Sequence, residues 1–252
     1  MIFVASSLVV NGGTTFLLRT CRELRRRGHA AVVLAMTRRA DPALSAALAE
    51  SATVCWLDEY LPDGGRVFRS LLATFAPLDL DRLRRDLLPA GPQVHAMGVY
   101  GLILAERLLV PGALDRLTVG VYHQNEFLYR GLPFHMAREA QRRFLALPAR
   151  NVVFFNEATR DNYARHFARS WADASVLPIG IELPPAEAVQ PVREPHRIVS
   201  VGNLVNFKNY NGHVIDLLPG LAATRPSLRY DVYGGGPEES ALRARAAAAG
   251  VG

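Results

Sequence analysis

Five groups of residues in this sequence have types and spacings that suit chemistry. NGGTT, at 11–15, lies between an apolar run and a helical pattern. Adjacent glycines let a backbone approach a ligand closely, and the first N–H groups of a following helix have no partner inside it. A phosphate suits such a turn; so does a tight strand-to-helix connection without a ligand. YHQNE, at 122–126, places His123 just past another apolar run. In an open parallel sheet ligands bind outside the carboxyl ends of the strands, so His123 either meets a substrate or serves as a hydrogen-bonded structural histidine. VGNLVNFKNYNG, at 201–212, holds Lys208, the only lysine among 29 basic side chains. A lysine offers phosphate a compact ammonium with three rotatable donors, where arginine offers a planar fork. An arginine-biased composition with one stray lysine is the plain alternative. YGGGPEE, at 233–239, adds flexible backbone at Gly234–Gly236 and a carboxylate, Glu238, at the start of a helix. Asp79-Leu80-Asp81 matches a metal-holding DxD pattern, yet it follows Pro77 and precedes RLRRDLL, so it reads as a helix N-cap.

The elements that must position these groups alternate. IFVAS, AVVLA, TVCWL, QVHAM, LTVGVY and NVVFF read as buried strands, and between them apolar residues recur at three- and four-residue spacing. Such alternation predicts an α/β domain, a parallel sheet with helices on both faces. LPPAEAVQPVREPH, at 183–196, holds four prolines and no periodicity and reads as a linker. The alternation then restarts with RIVSVGN and LRYDVYG. Two strand–helix units are too few for a doubly wound sheet of five or six strands, so a bare sheet edge and a chain cut short are expected.

Composition narrows the function. The chain is 50% apolar and 21% charged, enough to bury a core. Its net charge of +6 lies wholly in residues 1–180; residues 181–252 are neutral. Arginines at 19–27 and 138–143 would attract an anionic membrane or a phosphorylated substrate if they shared one surface, and otherwise mark solvated helix faces. No nucleic-acid module is present. Cys21 and Cys55, without CxxC or a histidine at ligand spacing, indicate neither zinc nor a disulfide framework. The N-terminus reads as a strand, not a signal peptide, and the longest apolar stretch is too short to span a bilayer. A cytoplasmic protein, with at most peripheral contact at the inner membrane face, is expected. NGGTT matches neither GxGxxG nor GxxxxGK[ST], which disfavours a dehydrogenase or a P-loop kinase.

The ordered succession NGG…LRRRGH, YHQNE, VGNLVNFKN and YGGGPEESALRARAAAAG resembles glycosyltransferase family 4, of the GT-B fold, over essentially the whole chain. The resemblance implies two Rossmann-like domains facing across a cleft: residues 1–182 on the acceptor side, a linker at 183–196, and 197–252 as the start of a nucleotide-sugar-binding domain. It implies a retaining, metal-independent transferase of the hexosyltransferase class that uses a nucleotide-diphosphate sugar as substrate, with no cofactor, and a glycan or lipid-linked acceptor. Gly12 and Gly13 would lie at the donor phosphates and His123, the catalytic candidate, at the donor sugar. Lys208 would hold the diphosphate, with Asn203 standing where the family often has arginine. Gly234, Gly236 and Glu238 would border the nucleotide. The family's second domain normally continues to a Glu-x7-Glu motif that this sequence does not reach, so the chain alone is expected to be inactive. A non-catalytic sugar-nucleotide-binding module and a GT-B sugar-nucleotide epimerase are the competing functions.

Overall fold

The computed structural model describes residues 1–62, 74–88, 93–109, 112–122, 135–181, 183, 185, 194–205 and 210–251. The chain divides into two compact units, Met1–Ile181 and Glu182–Gly252. The first is built on seven strands: β1 (Ile2–Ala5), β2 (Val32–Ala35), β3 (Thr53–Trp56), β4 (Val94–Met97), β5 (Leu117–Val121), β6 (Val152–Phe154) and β7 (Ser175–Val176). All pair in parallel, in the order β3-β2-β1-β4-β5-β6-β7. Six of them coincide with the apolar runs. β7 does not: it is two residues long and joins the sheet through Val153↔Ser175 and Phe154↔Val176 without an apolar run of its own.

Helices cover both faces because parallel strands need crossovers. α1 (Gly12–Arg26) buries Thr14, Leu17 and Cys21, and α2 (Pro42–Ala49) buries Leu44 and Leu48. They close one face over Phe3, Ala5, Val33 and Ala35. α3 (Leu80–Leu87), α4 (Val99–Leu108), α5 (His135–Ala146) and α6 (Glu157–Phe167) cover the other, over Ile2, Val4, Val94, Val119 and Phe154. Strand side chains alternate between faces, so Phe3 and Val4 serve opposite cores. Side-chain caps start several helices: Asn11 for α1, Asp41 for α2, Asp79 for α3 and Asn156 for α6. The Asp79 carboxylate accepts the Arg82 backbone N–H at 2.9 Å, so this aspartate serves a helix, as its position predicts.

Charge is spent locally. The arginines of 19–26 sit on α1 and those of 138–143 on α5, helices that cover opposite faces of the sheet. Arg26 and Arg27 both bind Glu23; Arg142 and Arg143 both bind Glu139, and Arg143 also reaches Glu106. Other arginines grip main-chain carbonyls in pairs. Arg84 donates to Arg107 O and Leu108 O where α4 ends, at 2.9 and 3.0 Å. Arg107 donates to Thr74 O and Ala76 O, and Arg169 to Leu145 O and Leu147 O. A planar guanidinium spans two such carbonyls; an ammonium does not.

Several buried residues are polar, and one of them is a histidine of the sheet. His95, on β4, is 9% exposed and edge-on to Phe3. Its Nδ1 lies 2.8 Å from Thr118 Oγ1 and its Nε2 2.8 Å from the Tyr122 hydroxyl. The more acidic phenol donates to Nε2, which assigns the proton to Nδ1 and the Nδ1–H bond to Thr118. Burial pushes the imidazole down to about 4.

The second unit has β8 (Arg197–Val201) and β9 (Arg229–Tyr233), paired in parallel, with α7 (Tyr210–Thr224) and α8 (Glu239–Ala248). Among the described residues its sheet has these two strands. Among them, too, no helix is long and apolar enough to cross a membrane.

The His95 environment gives the first unit a pH dependence. The native ring stays neutral down to about pH 4, whereas an unfolded histidine protonates near its ordinary value of about 6.5. This contribution is therefore complete above 6.5 and is lost as pH falls towards 4. Urea midpoints should show a loss of about 2 kcal/mol between pH 7 and pH 5, and His95→Gln should remove that part of the slope.

Candidate functional site

Winding reverses between β1 and β4: the connection after β1 leads to one face and the one after β4 to the other. A crevice at the carboxyl ends follows from this reversal and is where open α/β sheets bind ligands. The NGG turn stands there. Leu8, fully buried, pins the approach through Leu8 N–H to Arg39 O and Asp41 N–H to Leu8 O. The Asn11 side chain accepts the Thr14 N–H at 3.0 Å, and the Thr14 hydroxyl accepts the Asn11 N–H at 3.1 Å. That reciprocal cap satisfies the third donor of the helix and leaves those of Gly12 and Gly13 without an intrahelical partner. A side chain at Gly12 would meet nothing within 4 Å; at Gly13 it would stand 3.3 Å from Asn11 Oδ1. The two glycines thus present donors at an open surface.

Sequence reasoning missed the other wall of this crevice. Gly98 begins α4 with φ 83°, and a Cβ on Gly101 would lie 2.7 Å from Val4 O. Helix α4 can seat this closely on β1 only through that glycine. The signal was present in MGVYG, two glycines three apart directly after a strand. Tyr122, at the exit of β5, was likewise passed over in favour of the histidine beside it. His123 falls in residues 123–134, outside the described residues.

In the second unit the two glycine-bearing loops meet, both at the carboxyl ends of their strands. Gly202 N–H donates to Tyr233 O at 2.9 Å, Leu204 N–H to Gly235 O at 3.0 Å, and Glu238 N–H to Leu204 O at 3.2 Å. The β8–β9 ladder therefore continues past the strands. Two glycines permit it: a Cβ on Gly234 would stand 1.9 Å from Gly202 O, and one on Gly236 2.3 Å from Leu204 O. Asn203, Gly234, Gly236 and Glu238 are brought together on this paired loop, with Asn203 exposed. Lys208 falls in residues 206–209, outside the described residues. The next residues are tightly held: Asn211 is buried and its Oδ1 accepts from Ser200 Oγ and the Tyr230 hydroxyl at 2.7 and 2.5 Å. Asp216, an acid within reach in sequence of Lys208, is bound by both arms of Arg245. Among the described residues no group of three or more His, Cys, Asp or Glu could hold a metal ion.

The sequence profile described as Glycosyltransferase Family 4 matches residues 10–183. A comparison with curated proteins finds no match. Among solved structures, one of S. aureus TarM in complex with fondaparinux, alpha-GlcNAc-glycerol and UDP is similar at TM-score 0.65 and 7% identity, over 100% of this chain and 75% of that one. A glycosyltransferase from Rickettsia africae ESF-5 is similar at TM-score 0.59 and 11% identity, over 99% of this chain and 65% of that one. Phytolacca americana UGT2, complexed with UDP-2fluoro-glucose and pterostilbene, is similar at 0.50 and 15%, over 88% and 64%. At these identities the likeness concerns the fold, the α/β architecture of GT-B type. This chain spans about two thirds to three quarters of the length of those structures.

The loop pair makes its own test. Gly236→Ala should open the bonds at Leu204 and Glu238, at a cost of about 2 kcal/mol, and speed exchange of those two amides on the order of 30-fold. Gly235→Ala, whose Cβ would meet nothing within 4 Å, should leave both rates unchanged.

Proposed function

The chain belongs to glycosyltransferase family 4, and from that premise we propose that it takes part in transfer of a sugar from a nucleoside-diphosphate sugar to a glycan or lipid-linked acceptor. The observation that carries this reading is the family match over residues 10–183, the part of the chain that holds the NGG turn and His123. UDP and a UDP-sugar analogue bound in two of the similar structures support a nucleoside diphosphate as donor. The reaction retains anomeric configuration and needs no metal ion. Gly12 and Gly13 donate N–H groups to the donor phosphates, and His123 approaches the donor sugar. Lys208 binds the diphosphate beside Asn203, and the loop of Gly234, Gly236 and Glu238 borders the nucleotide. The chemical demand is charge building on the departing nucleoside diphosphate, which fixed amide donors and an ammonium stabilise without reorganisation.

A binding module without turnover is the second reading, favoured by Asn203 standing where the family often has arginine. Incubation with a panel of UDP-, GDP- and ADP-sugars, following diphosphate release and calorimetric binding, separates the cases. Release that chelators leave unchanged supports the metal-independent transferase; binding without release supports the module; a new nucleotide-sugar without release supports an epimerase. Lys208→Ala should weaken donor binding or turnover by about 1.5–3 kcal/mol, the value of a hydrogen bond to a charged group. Lys208→Arg should restore part of that loss, since charge returns without the shape. An alanine variant with unchanged affinity and rate removes Lys208 from the site.

A further inference from the structure

Tyr122 is held from four directions. Thr118, Gly120 and Tyr122 point to the same face of β5, and Thr118 is in register with His95 of β4. The Tyr122 ring lies back along its own strand, over Gly120: a Cβ there would stand 2.5–2.8 Å from three atoms of the phenol. Its hydroxyl reaches His95 Nε2 at 2.8 Å. Phe155, just past β6, packs edge-on at 4.4 Å between centroids. Phe16 closes the group at 5.9 Å from Tyr122 and 5.1 Å from Phe155.

Phe16 belongs to the second turn of α1, whose first turn carries the Asn11–Gly13 bend. The contacts therefore run without interruption from β4 through Tyr122 to the helix that presents Gly12 and Gly13. Two local choices run against strand and core preferences. A glycine within a strand gives up side-chain packing, and a buried histidine must have its ring nitrogens bonded to be tolerated. Both become intelligible as the means of seating one ring. Such departures from local preference concentrate at functional sites.

We propose that Tyr122, anchored by His95, is a positioning residue for glycosyl transfer: it fixes the exit of β5 relative to the Asn11–Gly13 turn. This rests on the reading of that turn as the donor-phosphate end. Tyr122 does not touch the donor in this account. Its hydroxyl bond sets the ring, the ring sets Phe16, and Phe16 holds the first turns of α1 in place.

The experiment compares Tyr122→Phe, His95→Leu and His95→Gln in the whole chain. Amide exchange is followed at Gly12–Thr15, with turnover on whichever nucleotide-sugar the wild type uses. Tyr122→Phe keeps the ring and removes the anchor; it should speed exchange at Gly12–Thr15 and lower kcat, each about tenfold, with KM for the donor held within about twofold. His95→Leu should do the same. His95→Gln places an amide oxygen near the position of Nε2, accepts the hydroxyl again, and should retain wild-type exchange and kcat. Unchanged exchange in Tyr122→Phe overturns the proposal, as does faster exchange spread evenly over the sheet, which marks a purely structural bond. A change confined to KM overturns it too. If the wild type binds no nucleotide-sugar, the reading of the turn as the donor-phosphate end fails on its own; if it binds without turnover, the exchange pattern alone decides whether Tyr122 positions the turn.

Discussion

Everything in the first unit hangs on β1. It is paired on both sides, by β2 and by β4, and all four of its residues are buried. A parallel strand in that position cannot be reached by hairpins, so the chain must cross over on each face in turn. The helices that make those crossings bury Phe3 and Ala5 on one side and Ile2 and Val4 on the other. The same requirement puts every strand's carboxyl end on one edge. A crevice beside β1 is thus a by-product of burying it, and the residues that line it are recruited from connections that had to exist.

Arginine use reflects a second constraint. Helix ends leave carbonyls without partners, and three guanidinium groups here answer that need by spanning two oxygens each. Others are neutralised by a glutamate one helical turn away. Much of the positive charge that draws attention in the sequence is consequently committed inside the unit.

The parallel α/β class and six of the seven strands were legible because buried strands read as apolar runs and helices as three- and four-residue periods. β7 was not, since two residues joined by register to Val153 and Phe154 leave no pattern. The cap at Asp79 could be placed because its chemistry is local. What escaped notice was cooperation across strands. Nothing near His95 in sequence announces Thr118 and Tyr122, and nothing near Gly101 announces the Val4 carbonyl. Gly101 and Gly120, which sequence reasoning passed over, leave room for the protein's own atoms, as Gly234 and Gly236 do for the paired loop. Gly12 has open space in front of it together with a helix N-terminus behind.

The ladder that joins Gly202–Leu204 to Tyr233–Glu238 has a thermodynamic corollary. Loops that pass from many conformations to one on contact with a ligand lose backbone entropy of about 1–2 kcal/mol per residue, and affinity falls by that amount. Here three main-chain bonds hold the two loops together. Were the proposed nucleotide to bind beside Asn203 and Glu238, it would meet a surface with backbone already held by these bonds, and the entropy lost on association would be chiefly its own. Such a surface discriminates by shape, since little of it can adjust to an ill-fitting guest.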